Sequence, residues 1–132
     1  MADIYKGSCL CGGVTYEVEG PLRPSIACHC QQCRKTSGHY WSATNVPMDK
    51  FKITREDNLK TYRATDFATR WFCASCGSSL FWKHDDEDSM SIGSGTLDDE
   101  DGLFTEKHIF VAHKGGYYEI EDDLPQRMDP DK

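Results

Sequence analysis

The sequence is poor in aliphatic side chains. Leu, Ile, Val and Phe supply 23 of its 132 residues, about 17%, a level that with a formal net charge of -7 borders on the composition of disordered chains. No apolar run approaches the ~18 residues of a membrane span, which argues against a membrane partner. The start, Met1-Ala2-Asp3-Ile4-Tyr5-Lys6, lacks the charged-then-apolar run of a signal peptide, so a reducing, cytoplasmic setting without structural disulfides is expected. Cations are also in deficit, with 15 Lys and Arg against 22 Asp and Glu. That balance argues against a nucleic-acid surface. Internal repeats, interdomain linkers and any long 3.6-residue apolar period are missing, and the length leaves no room for a second sizeable core.

Against this thin composition stand 7 Cys, 3 Trp and 6 Tyr, which disordered chains do not carry. Strand signals dominate. Val14, Tyr16 and Val18 alternate with Thr15 and Glu17, and Phe51–Thr54 and Ser89–Ile92 alternate similarly. Trp71-Phe72, Leu80–Trp82 and His108–Val111 read as short, more buried strands, separated by frequent Gly and Pro. One short helix is predicted from Gln31 to Ser37, with Gly38 as its C-cap. The chain reads as one mainly β domain over residues 1–120, followed by a polar, partly mobile tail over 121–132. Asp85–Asp88 and Asp98–Asp101 do not fit a calcium loop and are read as solvated hairpin turns. Trp41 and Trp82 are read first as core aromatics and second as a pocket wall.

All seven cysteines fall into three clusters: Cys9 and Cys11; Cys28, Cys30 and Cys33; Cys73 and Cys76. Thiolates two or three residues apart chelate one ion without closing a new loop, and the turn from Cys73 to Gly77 has a zinc-knuckle spacing. The two outer pairs together make a closed four-thiolate site that staples distant segments, where a cross-link helps most. A structural zinc contributes on the order of 10 kcal/mol to folding, enough to offset a thin core. The middle cluster offers a local tripod with an open fourth position, the pattern of a catalytic zinc. The same spacings leave other arrangements open. Cys73 and Cys76 can pair with two middle cysteines instead. His29 or His39 can complete a second structural site, and Cys30 and Cys33 can serve as a redox pair.

Three runs then carry a resemblance: Gly7–Tyr16, Cys28–Gly38 and Phe72–Gly77, continued by Ile92–Asp98 and His108–Val111. Together they resemble the glutathione-dependent formaldehyde-activating enzyme family, whose domain is shared with centromere protein V. The resemblance covers roughly residues 5–120. It implies a β-tent-like fold of small coiled antiparallel sheets with zinc knuckles, similar to methionine sulfoxide reductase B. It also implies two Zn2+ ions, a structural one on Cys9, Cys11, Cys73 and Cys76 and a catalytic one on Cys28, Cys30 and Cys33. The implied activity joins glutathione, a small-molecule thiol, to formaldehyde, formally a carbon–sulfur lyase run in reverse. Zinc on three thiolates is soft and suits a sulfur ligand. Methionine sulfoxide reduction would need a cysteine beyond the ligand clusters, and none is left. Arg34 and Lys35 flank the tripod and are candidates for pairing with the carboxylates of glutathione. Ser37, with Thr36, is a candidate for the pocket wall, whereas His29 projects opposite the cysteines. The sequence departs from the family pattern at His39, bulkier than expected, and at Gly115-Gly116-Tyr117-Tyr118, where a tryptophan is expected. The alternative to an enzyme is a zinc-stabilised binding or scaffolding module.

Overall fold

The computed structural model of the protein describes residues 3–129. It contains β1 (Ile4–Ser8), β2 (Val14–Glu19), β3 (Ser25–Cys28), α1 (Gln31–Ser37), β4 (Trp41–Pro47), β5 (Phe51–Glu56), β6 (Leu59–Arg63), β7 (Ala68–Cys73), β8 (Ser79–His84), β9 (Ser89–Gly93) and β10 (Thr105–Ile109). The fold is mainly β, as the alternation predicts. Three strands form one sheet in the order β1-β2-β5, and seven form the other in the order β10-β3-β4-β9-β8-β7-β6. Each pairing is antiparallel except that of β10 with β3, which is parallel. No helix among the described residues is long and apolar enough to cross a membrane.

The core lies between the sheets. On β2 the inward set Val14, Tyr16 and Val18 is buried at every second position, the geometry that period-2 alternation demands. These residues cluster with Val46, Leu80, Phe81, Met90, Ile92 and Leu97, and with Cys9 and Cys73. Tyr16 meets Phe81 edge-on at 5.1 Å between ring centroids, and its hydroxyl bonds Thr96 Oγ1 at 2.6 Å. Gly7 is its cross-strand partner. A Cβ at Gly7 would lie 2.1 Å from the Tyr16 ring, so only glycine lets that ring cross β1.

Three expectations are corrected. The strand expected over His108–Val111 stops at Ile109; Phe110 turns left-handed at φ 54° and a 3-10 turn follows over Val111–His113. Asp85–Asp88 does form the β8–β9 hairpin turn, but Asp98–Asp101 lies on the crossover to the parallel strand β10. The segment expected as a mobile tail is hydrogen-bonded through its backbone. Arg127 N–H donates to His108 O at 2.9 Å, and His108 N–H donates to Pro125 O at 2.9 Å. Residues 130–132 of that segment lie outside the described residues. β1, β3, β4 and β6 carry no strand signal in the sequence and are added by the structure.

Candidate functional site

The outer cysteine pairs converge. Cys9 and Cys11 belong to the turn between β1 and β2, where Gly12 N–H donates to Cys9 O at 3.1 Å. Cys73 ends β7, and Gly77 N–H donates to Cys73 O at 2.7 Å, closing the second turn. Gly77 has φ 82°, a left-handed conformation open to glycine and strained for most side chains. The four Sγ atoms lie within 4.8 Å of one another. Cys9–Cys11 and Cys11–Cys73 Sγ separations are 3.6 and 3.7 Å, close to the edge of about 3.8 Å that a tetrahedron of ~2.3 Å Zn–S bonds requires. The donor set therefore fits a four-thiolate metal. Cys9 and Cys73 are themselves core residues. Two of these thiols, Cys76 and Cys9, are drawn toward the thiolate, whereas at Cys11 the Gly13 N–H lowers the pKa but the Cys9 and Cys73 thiols prevail and raise it to about 11. The Ser78 hydroxyl and N–H hold the Cys76 thiol down to about 5. At Cys9 burial opposes ionisation, but the Val14 N–H and the Cys11 and Cys73 thiols outweigh it.

The middle cysteines converge separately. Cys28 ends β3, Cys30 is the N-cap of α1 and Cys33 lies within α1. Their Sγ atoms also fall within 4.8 Å of one another, and neither His29 nor His39 joins them. Cys33 N–H donates to Cys30 Sγ at 3.3 Å. The three sulfurs polarise one another through hydrogen bonds. Donation from Cys28 and Cys33 draws Cys30 down to about 2. Cys28 is raised, first by its bond to Cys30. At Cys33 the bond from Cys28 lowers the pKa, but Cys30 and burial prevail and raise it to about 11. Sequence reading missed the cation that faces this group. Arg70, on β7 and only 7% exposed, donates from Nη2 to Cys33 Sγ at 3.4 Å and from Nε to Gln32 Oε1 at 2.7 Å. Its guanidinium lies 5.4 Å from the Trp41 ring centroid, within cation–π range. The available signal was its shared face with Ala68 on β7, an inward position that an arginine occupies only with partners.

Two cavities flank α1. One, of about 320 Å³, is lined by Arg70, Trp41, Thr36 and aromatic side chains of β6–β8, so Trp41 is a cavity wall. The other, of about 280 Å³, is polar and holds His29, His108, Tyr118 and Asp122. These four form a hydrogen-bonded chain. Asp122 Oδ2 is 3.0 Å from His108 Nε2, His108 Nδ1 is 2.8 Å from His29 Nε2, and His29 Nδ1 bonds the Tyr118 hydroxyl. His29 is fully buried; its burial first, then His108, depress its pKa to about 4.

Residues 4–113 match the profile of a family described as glutathione-dependent formaldehyde-activating enzyme. The chain belongs to that family. Among curated relatives, a Halomonas elongata protein provisionally named as a glutathione-dependent formaldehyde-activating enzyme is 29% identical over 89% of this chain and 82% of its own length. A Schizosaccharomyces pombe protein named as an uncharacterized lyase is 29% identical over 61% of this chain, and the match spans only 58% of that protein. A crystal structure of a Rhodobacter sphaeroides protein superposes with a TM-score of 0.63 at 24% identity, covering 74% of this chain and 91% of that one. That likeness is one of fold.

Within this formaldehyde-activating family member the remaining predicted residues divide. Arg34 is half-buried under the loop after β10, where its Nε has no partner among the described residues. Lys35 is exposed. The Ser37 hydroxyl is engaged by backbone, its single hydrogen lying within reach of two acceptors, Cys33 O and His39 O, each at 2.8 Å. Gly38 caps α1 at φ 87° as predicted. The two departures from the family pattern touch each other: His39 Nδ1 lies 2.6 Å from the Tyr117 hydroxyl, and the His39 ring packs edge-on against Tyr118 at 4.6 Å.

Proposed function

We propose that the protein is a zinc-dependent carbon–sulfur lyase acting on the adduct of glutathione, or a related small thiol, with a small aldehyde. The observation that carries this reading is the contrast between the cysteine clusters. Four sulfurs from segments more than 60 residues apart converge at the edge of the core, Cys9 and Cys73 within it, Cys76 packed against it and Cys11 at the surface, the setting of a closed structural site on Cys9, Cys11, Cys73 and Cys76. Three others lie outside that core cluster, and one of them, Cys33, is bonded by Arg70, which lines a cavity. Zinc bound to Cys28, Cys30 and Cys33 would supply a soft Lewis acid with one coordination position that the protein leaves free.

The chemistry balances without a further reactant. In the synthetic direction the thiol sulfur bonds the carbonyl carbon, the C=O π bond breaks, and the thiol proton ends on the new hydroxyl; the lyase direction reverses each change. The chain's own part is electrostatic and positional. Arg70 sets a positive charge against the thiolate group, and Gln32 and Trp41 fix that guanidinium. Arg34 and Lys35 are assigned to the carboxylates of the thiol, and Ser37 supports the turn that ends α1. All seven cysteines are free thiols, which fits the reducing cytoplasm proposed for the protein.

The test is the exchange rate in a glutathione–formaldehyde mixture, followed by NMR with and without protein. Acceleration above the thiol-only rate, lost in Cys28→Ser, is expected; no acceleration overturns the formaldehyde assignment. Metal analysis is expected to give two zinc ions per chain. If cobalt at the tripod shows no spectral change on adding thiol, its coordination is closed and a scaffolding role replaces catalysis.

A further inference from the structure

Arg70 is a buried cation with donors to spare. Its Nε and one Nη2–H are committed to Gln32 and Cys33. The Nη1 hydrogens and the second Nη2–H of the guanidinium remain, and they make no hydrogen bond among the described residues. That end-on pair is the geometry that takes the two oxygens of a carboxylate. The cavity beside it is walled mainly by rings, Trp41, Tyr62, Trp71, Phe72 and Phe81, with Thr36, Gly77 and Ser79 completing the lining. Tyr62 is the cross-strand partner of Arg70. The β7–β8 register slips between Trp71 and Phe72, and such a bulge re-aims side chains, which lets three consecutive residues of β7 line one space. At about 320 Å³ it stands near the lower end of the roughly 300–1,000 Å³ of small-molecule sites.

We propose that this cavity binds a small carboxylate with a planar apolar body, its carboxylate on the end of Arg70 and its body against the rings. The site selects by charge sign and by the ring together. A purely polar anion wastes the aromatic walls, and an aromatic cation meets a buried guanidinium. This site is additional to the contacts assigned to the thiol substrate, whose carboxylates go to Arg34 and Lys35, and it adjoins the tripod through Cys33.

The test titrates the zinc-loaded protein with 3-phenylpropanoate, phenethylammonium and acetate, read by tryptophan fluorescence and saturation-transfer NMR. Saturable binding of 3-phenylpropanoate is expected, with the other two at least tenfold weaker. Arg70→Gln is expected to weaken it at least tenfold. Arg70 also supports Cys33, so a second variant is chosen at the cavity rim, where folding is not at stake. Tyr62 is 62% exposed, and Tyr62→Asp adds a like charge there. A loss of at least threefold is expected at unchanged zinc content. Equal binding of phenethylammonium, or undiminished binding in Tyr62→Asp, overturns the proposal. The glutathione–formaldehyde exchange assay on the same samples separates the two readings. Exchange without carboxylate binding removes this inference alone, and carboxylate binding without exchange removes the lyase reading but keeps the site.

Discussion

Replacing one sulfur in each cluster should have unequal consequences for folding. Cys11 and Cys73 are 62 residues apart and their Sγ atoms are 3.7 Å apart, so an ion there closes a long loop. The tripod closes nothing longer than the six residues 28–33. Loop-closure entropy scales as 1.5RT ln n, and the ratio of these spans makes the long closure worth about 2 kcal/mol more. Two further effects add to that difference. Cys73 is fully buried in the core, where a serine hydroxyl lacking a strong partner costs ~1–3 kcal/mol. Cys28 is only half-buried at the end of β3. Cys73→Ser is therefore expected to lose at least ~4 kcal/mol, a large share of a typical domain's total stability of ~5–15 kcal/mol. Cys28→Ser should lose about 1–2 kcal/mol and stay folded. Urea titration followed by far-UV circular dichroism, with metal content measured in parallel, compares them directly. Equal losses, or the reverse order, would refute the division of the seven cysteines into staple and tripod.

Three other outcomes are expected. Zinc binding at the tripod requires three thiolates, yet only Cys30 lies low, at about 2, while Cys33 is held near 11 and Cys28 is also raised. Loading at pH 7 should thus release about two more protons in the wild type than in Cys28→Ser/Cys30→Ser/Cys33→Ser, and tripod affinity should fall as pH falls; calorimetry in buffers of different ionisation enthalpy counts them. Tyr118→Phe leaves Nδ1 of the fully buried His29 without its hydroxyl partner, a loss of about 2 kcal/mol readable as a lower Tm. Gly7→Ala drives a methyl into the Tyr16 ring and should cost ~1–3 kcal/mol by overpacking, with Tyr16→Leu relieving part of that cost in the double variant.

The parts of this structure that were legible in the sequence are those that repeat a local rule. β2, β5 and β9 each alternate with respect to burial, and the cysteine clusters declare themselves by spacing. The strands that escaped notice lack such a rule. β6 exposes nearly everything but Leu59 and exists because β7 offers it a ladder. β4 buries the adjacent residues Ala43 and Thr44, which hides its period. Arg70 reaches Cys33 across 37 residues, and His29 reaches His108 across 79. No spacing rule spans such separations; only the register of the sheet creates them.

The parallel pairing of β10 with β3 explains why the departures from the family pattern lie together. β10 runs beside β3 with Ile109 opposite Cys28, so both strands end at the tripod. An antiparallel β10 would release the chain at the far end of the sheet. Instead the chain leaves beside α1, and residues 110–122 must pack over it. Gly115 is pressed there: a Cβ would stand 3.1 Å from Arg34 Cδ and 2.5 Å from the Tyr117 ring. Lys114 Nζ sits 4.7 Å from the centre of the Tyr118 ring. Tyr118 in turn stacks on His29 at 5.6 Å, while His108, the β10 residue beside Ile109, closes the chain to Asp122. His39, Tyr117 and Tyr118 are therefore one packed unit beside the polar cavity. The cavity beside Arg70 is built from other strands, so changes in this unit can reshape the polar cavity while the aromatic one keeps its form.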